Sequence, residues 1–355
     1  MKITRRILAT VASLTIFASA LPAHAANVTP QQLSGDAPVS VISGPKDTNG
    51  ESLRWREKVD GDRVVEMWAT SPAMNNREIP LVIIKATEAN RPTIYLLNGG
   101  DGGEGRANWI MQTDVIDFYK EKNVNVVIPM SGKFSYYTDW VSENAGLGGK
   151  QMWETFLTRE LPGPIEKELK ANGKRAIAGM SMSATSSALL AAHNPGFYDA
   201  IGSFSGCYAS AKPAPTAYIA LTLQRGGATI EQMWGKWGGP QWHHNDVLTQ
   251  AEGLRNTAIY VSNGSGLAGE WDMPGGPRLR GVDPAIASIA ATATTVEGGA
   301  IEAATNQCTH DFKKKLDSLQ IPAHFNMRNT GTHSWGYWQQ DLRHSWPVFE
   351  ASFNS

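Results

Sequence analysis

Six short apolar runs, separated by helix-like stretches, constrain the fold of this chain most strongly. The runs lie at 93–97, 124–128, 175–178, 200–204, 258–261 and 323–327, and the helix-like stretches are clearest at 151–171, 183–193 and 300–318. Strands that are apolar throughout are buried on both faces, and intervening helices imply parallel connections. Residues 64–70 and 79–85, joined by a turn at Asn75-Asn76, predict two antiparallel strands ahead of them. The sequence therefore predicts an α/β fold with a mostly parallel sheet and helices on both faces.

Small and polar residues follow most of these runs, as in Asn98-Gly99-Gly100 and Ser205-Gly206. In open parallel sheets, ligands bind at the carboxyl ends of the strands. We therefore expect the functional site at the sheet edge where these residues lie. Residues 207–250 and 264–298 show no clean helical or strand period, and we expect them to form insertions over that site.

The N-terminus has the pattern of an export signal. A basic stretch precedes an uncharged apolar stretch (7–21) and the small-x-small sequence Ala23-His24-Ala25. The apolar stretch is shorter than the roughly 20 residues that a membrane span needs, and no later run is long enough either. We predict a signal peptide at 1–25, a mobile lead-in at 26–50 and a single catalytic domain at 51–355, in a secreted protein.

Charge and cysteine content exclude several classes of protein. The formal net charge is −1, and loss of Lys2, Arg5 and Arg6 with the signal peptide takes it to −4. Such a chain has no electrostatic basis for binding nucleic acid. It has no His-Glu-x-x-His motif and no cysteine cluster, so neither a metal nor a cofactor is expected. Two cysteines, Cys207 and Cys308, are an even number in an exported chain, which favours a disulfide.

Ser181 is the predicted nucleophile. The segment 176–190 has the pattern of a strand, a sharp turn and a helix, with Ser181 in the turn. A nucleophile elbow has this layout and needs small neighbours, so that the strand and the helix can pack closely. Gly179 lies two residues before Ser181, and Ser183 replaces the usual second glycine two residues after it. The alternative is a turn at a helix N-cap. The flanking strand and small-residue helix favour the elbow of an α/β-hydrolase fold and an acyl-serine ester intermediate.

A serine hydroxyl needs a base, and the base needs an orienting acid. In α/β-hydrolases the acid and then the histidine follow the serine along the chain. His333 lies on a polar loop after the run at 323–327 and fits this order. The run at 258–261 carries no acid at its end, so the acid stays open among Glu270, Asp272, Glu297 and Glu302.

Two backbone N–H groups are expected to stabilise the oxyanion. One belongs to the residue after the nucleophile, Met182, and the other to the loop after an early strand. That loop is Asn98-Gly99-Gly100-Asp101-Gly102-Gly103, and we expect Gly100 to be the donor. A phosphate-binding loop is the alternative, but the lysine of a P-loop and the dinucleotide-binding glycine register are both absent.

Several collinear motifs suggest a family. Gly179-Met180-Ser181-Met182, Met233-Trp234-Gly235 and Gly331-Thr332-His333-Ser334-Trp335 occur in this order, with further matching segments between 64 and 347. They resemble the antigen 85 mycolyltransferases of mycobacteria and, more closely, their corynebacterial relatives. The resemblance implies a secreted cell-envelope enzyme that transfers a mycolyl chain from trehalose monomycolate. The implied acceptors are a second trehalose monomycolate, arabinogalactan or envelope-protein serines, and the enzyme is expected to associate peripherally with the outer lipid layer.

The resemblance also implies site residues. It places the nucleophile at Ser181 and the base at His333, and it selects Glu302, because the family's acid lies on a helix ten residues before a phenylalanine, as Glu302 lies before Phe312. We further hypothesise that a Cys207–Cys308 disulfide anchors this helix. The candidates for substrate contact are Asn98, Asp101, Gln112, Trp234, Ser334 and Trp335.

Three of these positions depart from the family. Asn98 and Asp101 stand where the family has a trehalose-contacting aspartate and arginine, and Gln112 replaces an asparagine. Gly100 likewise replaces a leucine at the oxyanion position. Two other functions stay open: a secreted carboxylesterase or lipase, and a non-catalytic carbohydrate-binding protein or adhesin on the same fold.

Overall fold

A nine-stranded mixed sheet lies at the centre of the computed structural model, which describes residues 37–48 and 53–355. Its strands are β1 Ile42–Ser43, β2 Val64–Ser71, β3 Arg77–Ile84, β4 Thr93–Leu97, β5 Asn125–Pro129, β6 Arg175–Met180, β7 Ala200–Phe204, β8 Ala258–Asn263 and β9 His324–Met327. The order is β1-β2-β3-β5-β4-β6-β7-β8-β9. The pairs β1–β2, β2–β3 and β3–β5 are antiparallel. The other five pairs, β5–β4, β4–β6, β6–β7, β7–β8 and β8–β9, are parallel. The predicted mostly parallel sheet is therefore confirmed.

Helices cover both faces of the sheet. The α-helices are α1 Trp109–Gln112, α2 Val115–Lys120, α3 Trp153–Thr155, α4 Pro162–Glu168, α5 Met182–His193, α6 Pro213–Arg225, α7 Ile230–Trp234, α8 Pro240–His244, α9 Val247–Gln250, α10 Pro284–Ala293, α11 Gly299–Ser318 and α12 Trp335–Phe353. Short 3-10 helices lie at Arg54–Lys58, Pro72–Met74, Ala145–Leu147 and Ala251–Leu254, and π turns lie at Phe156–Glu160 and Thr294–Gly298.

Strand β4 shows why the apolar runs are continuous. Its side chains alternate between two cores: Tyr95 and Leu97 pack in the core that contains α5 residues, while Ile94 and Leu96 pack in the core that contains α12 residues. All four are fully buried. Burial of one large apolar side chain contributes roughly 1.5–3 kcal/mol. Polar residues are therefore disfavoured on both faces of this strand.

Two helical regions differ from the sequence-based expectation. The helix predicted at 151–171 contains the π turn Phe156–Glu160, and α4 begins directly after it at Pro162, whose missing N–H is tolerated at the first position of a helix. The N–H of Leu161 bonds to the carbonyl of Phe156, five residues back. Helix α12 was not predicted, and it continues through Pro347, a residue that usually ends a helix. Its apolar face lies in the core, so tertiary packing outweighs the local preference.

Within the predicted lead-in, residues 38–48 lie against the sheet. Strand β1 pairs with β2, and the N–H of Ser40 donates to the carbonyl of Glu160 (3.1 Å). Backbone pairing accounts for its place at the sheet edge. The predicted signal peptide, 1–25, lies outside the described residues. Pro38–Ser355 forms one compact unit.

Both predicted insertions contain helices. Residues 207–250 form α6 to α9, and 264–298 form α10 and the π turn Thr294–Gly298. The buried side of α6 is a narrow, partly polar stripe of Pro215, Thr216, Ile219 and Leu223. Such a stripe gives a weak helical period, which explains why the sequence did not indicate this helix. Within the described ranges, none of the helices has the length and apolar character needed to cross a membrane.

Candidate active site

Ser181 lies on the sharp turn between β6 and α5. Its backbone has φ 58° and ψ −121°, a conformation that strains any residue with a Cβ. The N–H of Ser181 donates to the carbonyl of Phe204 on β7 (2.9 Å), which fixes the turn against the sheet. A strained strand-to-helix turn of this kind presents the serine Oγ at the carboxyl edge of the sheet.

Gly179 and Ser183 are the small residues of the elbow. A Cβ on Gly179 would lie 2.4 Å from Oγ of Ser183, so only glycine fits there. Ser183 is fully buried, and its hydroxyl accepts from the N–H of Met180 (3.0 Å) and donates to the carbonyl of Leu97 (3.2 Å). The serine that replaces the usual glycine therefore links the elbow to β4.

Three of the predicted residues form one hydrogen-bonded chain. Nε2 of His333 lies 2.7 Å from Oγ of Ser181, and Nδ1 of His333 lies 2.8 Å from Oε2 of Glu302. Because an ionised carboxylate only accepts hydrogen bonds, Nδ1 carries the ring proton and Nε2 is left to accept from the serine hydroxyl. Trp338 packs edge-on against the imidazole, with 4.9 Å between ring centroids. This arrangement can activate a serine for attack on an ester.

Glu302 is fully buried on α11, and three donors hold its other oxygen. Oε1 accepts from the N–H of Gly264 (2.6 Å), the side-chain amide of Asn263 (3.0 Å) and the hydroxyl of Ser205 (2.8 Å). Hydrogen bonds to the charged form offset the cost of burying a carboxylate. These donors were not identified from the sequence as site residues. Their positions directly at the ends of β7 and β8 are the signal that could have indicated them.

Asp272, another candidate acid, instead fixes the loop that carries His333. Its buried carboxylate accepts from three side chains of that loop and the following helix: Thr332, Ser334 and Tyr337. Burial, together with the bond to Asp272, raises the pKa of the Tyr337 phenol. Of the remaining candidates, Glu270 is exposed and Glu297 lines a cavity. Of the four candidate acids, Glu302 is the one hydrogen-bonded to the imidazole in the described part of the chain.

The predicted oxyanion donors flank the elbow. Met182 is the first residue of α5, so its N–H has no acceptor within the helix. Gly99 packs against the end of β6, since a Cβ there would lie 2.7 Å from Sδ of Met180. Gly100 follows directly. The role of these two N–H groups in holding an oxyanion stays a prediction.

The side chains of Asn98 and Asp101 are both hydrogen-bonded within the fold. Asn98 is fully buried, its amide donates to the carbonyl of Pro129 (2.9 Å), and its oxygen accepts from the N–H of Trp109 (3.1 Å). Asp101 accepts two N–H groups of the loop, and burial raises the pKa of its carboxyl. Asn98 is therefore a structural residue and not a sugar contact, and Asp101 chiefly stabilises the loop.

Trp234 is a core residue. It is 1% exposed, its Nε1 donates to Oγ1 of Thr138 (3.0 Å), and its ring packs edge-on against Trp242. No face of the indole is left for a substrate, so the predicted contact is wrong.

A cavity of about 320 Å³ opens beside His333. Two predicted substrate residues, Ser334 and Trp335, line it, together with Arg278 from the 264–298 insertion. Gln112 lies next to this cavity, and its Oε1 accepts from Nη2 of Arg278 (2.8 Å). Arg278 was not identified from the sequence, because no motif marks it.

The predicted disulfide joins Cys207 to Cys308. Cys308 lies on α11, the helix that carries Glu302, and Cys207 follows β7 closely. On the same helix, Phe312 stacks on Tyr208 with 4.2 Å between ring centroids. The bridge and the stacked rings hold α11 against the strand ends that contact Glu302.

We expect the Cys207→Ser/Cys308→Ser double variant to lose about 2–4 kcal/mol of unfolding free energy. The bridge joins residues 101 apart, and a cross-link of that kind lowers the entropy of the unfolded chain. Thermal denaturation with and without reductant measures the effect. Reduction confirmed by mass spectrometry should lower the Tm of the wild type and leave the double variant unchanged. A wild-type Tm that does not respond to reduction would contradict the expectation.

Comparison with known proteins decides the family. A family model for esterases matches residues 71–348. The protein of Mycobacterium leprae (strain TN) named diacylglycerol acyltransferase/mycolyltransferase Ag85A is 32% identical over 261 residues, which cover 72% of this chain and 73% of the relative. The chain belongs to this esterase family, in its antigen 85 group. Ag85A of Mycobacterium tuberculosis (strain ATCC 25618 / H37Rv) is 31% identical over 80% of each chain. The resemblance seen in the motifs is confirmed, and the antigen 85-type chain is an enzyme of the acyl-transferring class.

Solved structures confirm the α/β-hydrolase fold of this antigen 85-type protein. Mycobacterium tuberculosis MPT51 (FbpC1) aligns with a TM-score of 0.63 and 25% identity, covering 79% of this chain and 96% of that one. The Staphylococcus aureus serine hydrolase FphF aligns with a TM-score of 0.58 and 14% identity, covering 82% and 98%. The second likeness shows the fold alone.

Proposed function

We propose that this antigen 85-type protein is a secreted serine acyltransferase that moves a mycolyl chain from trehalose monomycolate to an acceptor hydroxyl. The observation that carries the proposal is the hydrogen-bonded chain from Ser181 through His333 to Glu302. The names of the relatives, which include mycolyltransferase, support the choice of acyl group. The proposed acceptors are a second trehalose monomycolate, arabinogalactan or serines of envelope proteins.

In the first step, Oγ of Ser181 attacks the ester carbonyl carbon of the donor while Nε2 of His333 takes the hydroxyl proton. The N–H groups of Gly100 and Met182 hold the oxyanion, and loss of one such donor typically costs about 3 kcal/mol. Collapse of the tetrahedral intermediate breaks the bond to trehalose, whose oxygen takes the proton from the imidazolium. The products are free trehalose and an acyl ester on Ser181.

In the second step, an acceptor hydroxyl attacks the acyl carbonyl, and its proton passes to Nε2 of His333. The bond to Ser181 then breaks, and the serine oxygen recovers the proton. Glu302 stays ionised throughout and stabilises the imidazolium. Water can replace the acceptor and give a free acid, so the exclusion of water decides between transfer and hydrolysis.

Exposed aliphatic side chains on α10 and on the π turn that follows it support a peripheral contact with lipid. Ile286 and Ile289 are 60% and 71% exposed, and Val296 is 66% exposed, while the buried side of α10 consists of Ala287 and Ala291. Surface helices normally turn their larger aliphatic residues inward. Exposed apolar clusters mark interaction surfaces. We propose that this face of α10 contacts the outer lipid layer in which the donor lies.

Incubation with phosphatidylcholine vesicles that contain trehalose monomycolate tests the proposal. We expect the protein to sediment with the vesicles and to form free trehalose and trehalose dimycolate, with acyl groups also on added arabinogalactan or acceptor protein. Free mycolic acid as the only acyl product would identify an esterase. Absence of turnover, together with failure of Ser181 to react with a fluorophosphonate, would favour the non-catalytic alternative.

A further inference from the structure

The polar groups that could orient a sugar do not come from the 98–103 loop in this chain. Asn98 is fully buried and bonded within the fold, and the Asp101 carboxylate accepts N–H groups of its own loop. The cavity beside His333 nevertheless carries charged side chains on its walls. Of these, Asp272 is committed to the hydroxyls of the histidine loop.

Arg278 and Glu297 have hydrogen-bonding capacity to spare. Nη1 and Nη2 of Arg278 donate to the carbonyl (3.1 Å) and Oε1 (2.8 Å) of Gln112. A guanidinium has five N–H groups, so three remain. Within the described ranges, the Glu297 carboxylate has neither a hydrogen-bond donor nor an ion-pair partner. The two side chains line the same cavity without pairing with each other.

The position of Glu297 relates the cavity to the reacting atoms. Glu297 lies on the π turn Thr294–Gly298, and the carbonyl of Gly298 accepts the N–H of His333 (3.0 Å). Glu297 and His333 also line the same cavity, so a bound group that contacts Glu297 lies beside His333. Orientation of this kind is what converts binding into a near-attack geometry.

Aromatic rings complete the cavity. Trp271 and Trp335 line it, and Trp335 is wedged edge-on against Trp109 and Trp338, with ring centroids 5.5 and 5.1 Å away. Aromatic walls with a few convergent polar groups are typical of small-molecule sites. Apolar ring faces suit the C–H faces of a sugar, while a cation and a carboxylate suit its hydroxyls, which both donate and accept.

We propose that Arg278 and Glu297, supplied by the 264–298 insertion, bind the hydroxyls of a sugar headgroup beside the acyl-transfer site. The inference rests on the proposed function and specifies its sugar subsite. Arg278 also holds Gln112 in place, so the subsite joins the insertion to the segment that follows the 98–103 loop. The sugar belongs either to the acyl donor or to the acceptor, since both offer the same hydroxyl chemistry.

Kinetics with two classes of ester test the subsite. We expect Arg278→Gln and Glu297→Gln each to raise the KM for trehalose monomycolate about tenfold, because a charged hydrogen bond to the sugar is lost. Hydrolysis of p-nitrophenyl butyrate, which has no sugar, should stay within about twofold. Arg280→Gln is the matched control, because Arg280 lies on the same insertion but does not line the cavity.

A second arm assigns the sugar. Here p-nitrophenyl butyrate is the donor and trehalose is the acceptor. If Arg278→Gln raises the KM for trehalose, Arg278 binds the acceptor sugar. If the KM changes only for trehalose monomycolate, Arg278 binds the donor sugar. Either result supports the subsite. Equal losses with both esters, or a KM no different from that of Arg280→Gln, would overturn it.

Calorimetry separates this inference from the proposed function. Trehalose is titrated into the Ser181→Ala protein, which binds without turnover, and into the same protein carrying Arg278→Gln. Binding that weakens about tenfold in the second protein supports the subsite even if no mycolyl transfer is found. If the wild type transfers mycolyl groups but Arg278→Gln leaves trehalose binding unchanged in the Ser181→Ala background, the proposed subsite is wrong and the proposed function stands.

Discussion

Replacement of Ser181 by alanine is expected to lower acyl transfer by about 10⁶-fold, on the precedent of serine hydrolases. The variant cannot form the acyl ester, and Nε2 of His333 loses the hydroxyl that lies 2.7 Å away. The fold should be unaffected, because within the described residues the Ser181 hydroxyl has no other hydrogen-bond partner. Alanine also keeps a Cβ at φ 58°, so the backbone strain does not change.

Rapid-quench measurement of trehalose release, together with mass spectrometry of the acyl-enzyme, measures this effect. Ser288→Ala is the matched control, since Ser288 is an exposed serine on α10. It should retain wild-type rates and fluorophosphonate labelling, and both proteins should keep the wild-type Tm. Near-native transfer by Ser181→Ala would refute the assignment of the nucleophile.

Glu302→Gln is expected to lower turnover about 10⁴-fold, the loss seen when a triad carboxylate becomes an amide. The Oε1 side of Glu302 faces three donors, so the glutamine oxygen must lie there and its NH₂ must face Nδ1 of His333. Nδ1 then becomes an acceptor and the proton moves to Nε2. An imidazole in that tautomer cannot accept the proton of Ser181.

Turnover of a p-nitrophenyl ester measures the loss at the triad without any contribution from sugar binding. Glu270→Gln is the control, because Glu270 is exposed and bonds only to Gln340 in the described part of the chain. It should keep the wild-type rate. A fall of less than tenfold in Glu302→Gln, with the fold intact, would mean that Glu302 does not orient the base.

The architecture and the nucleophile follow from local patterns in the sequence. Strands such as β4 must be apolar at every position because both faces are buried, and this pattern is visible without coordinates. The elbow is similarly local, since Gly179, Ser181 and Ser183 lie within five residues and each has a steric or hydrogen-bonding reason for its size. His333 follows from chain order in the fold. The strands and the elbow depend on residues close to one another in the chain, whereas His333 is assigned by its order along the chain.

The residues that surround Ser181 and His333 depend on contacts between segments that are distant in the chain. From the residues alone, four acids were candidates for the partner of His333. Glu302 reaches the imidazole because α11 packs against the ends of β7 and β8, where Ser205 and Gly264 donate hydrogen bonds to the Glu302 carboxylate. Tertiary contacts also give two tryptophans different roles: Trp234 is buried against Trp242, whereas Trp335 lines the cavity. No local pattern distinguishes a buried tryptophan from one at a cavity wall. The sequence by itself determined the sheet, the elbow and its serine, and the family resemblance in its motifs selected Glu302. Only the tertiary structure decided which polar groups hold that carboxylate and which side chains line the cavity, because those contacts join segments far apart in the chain.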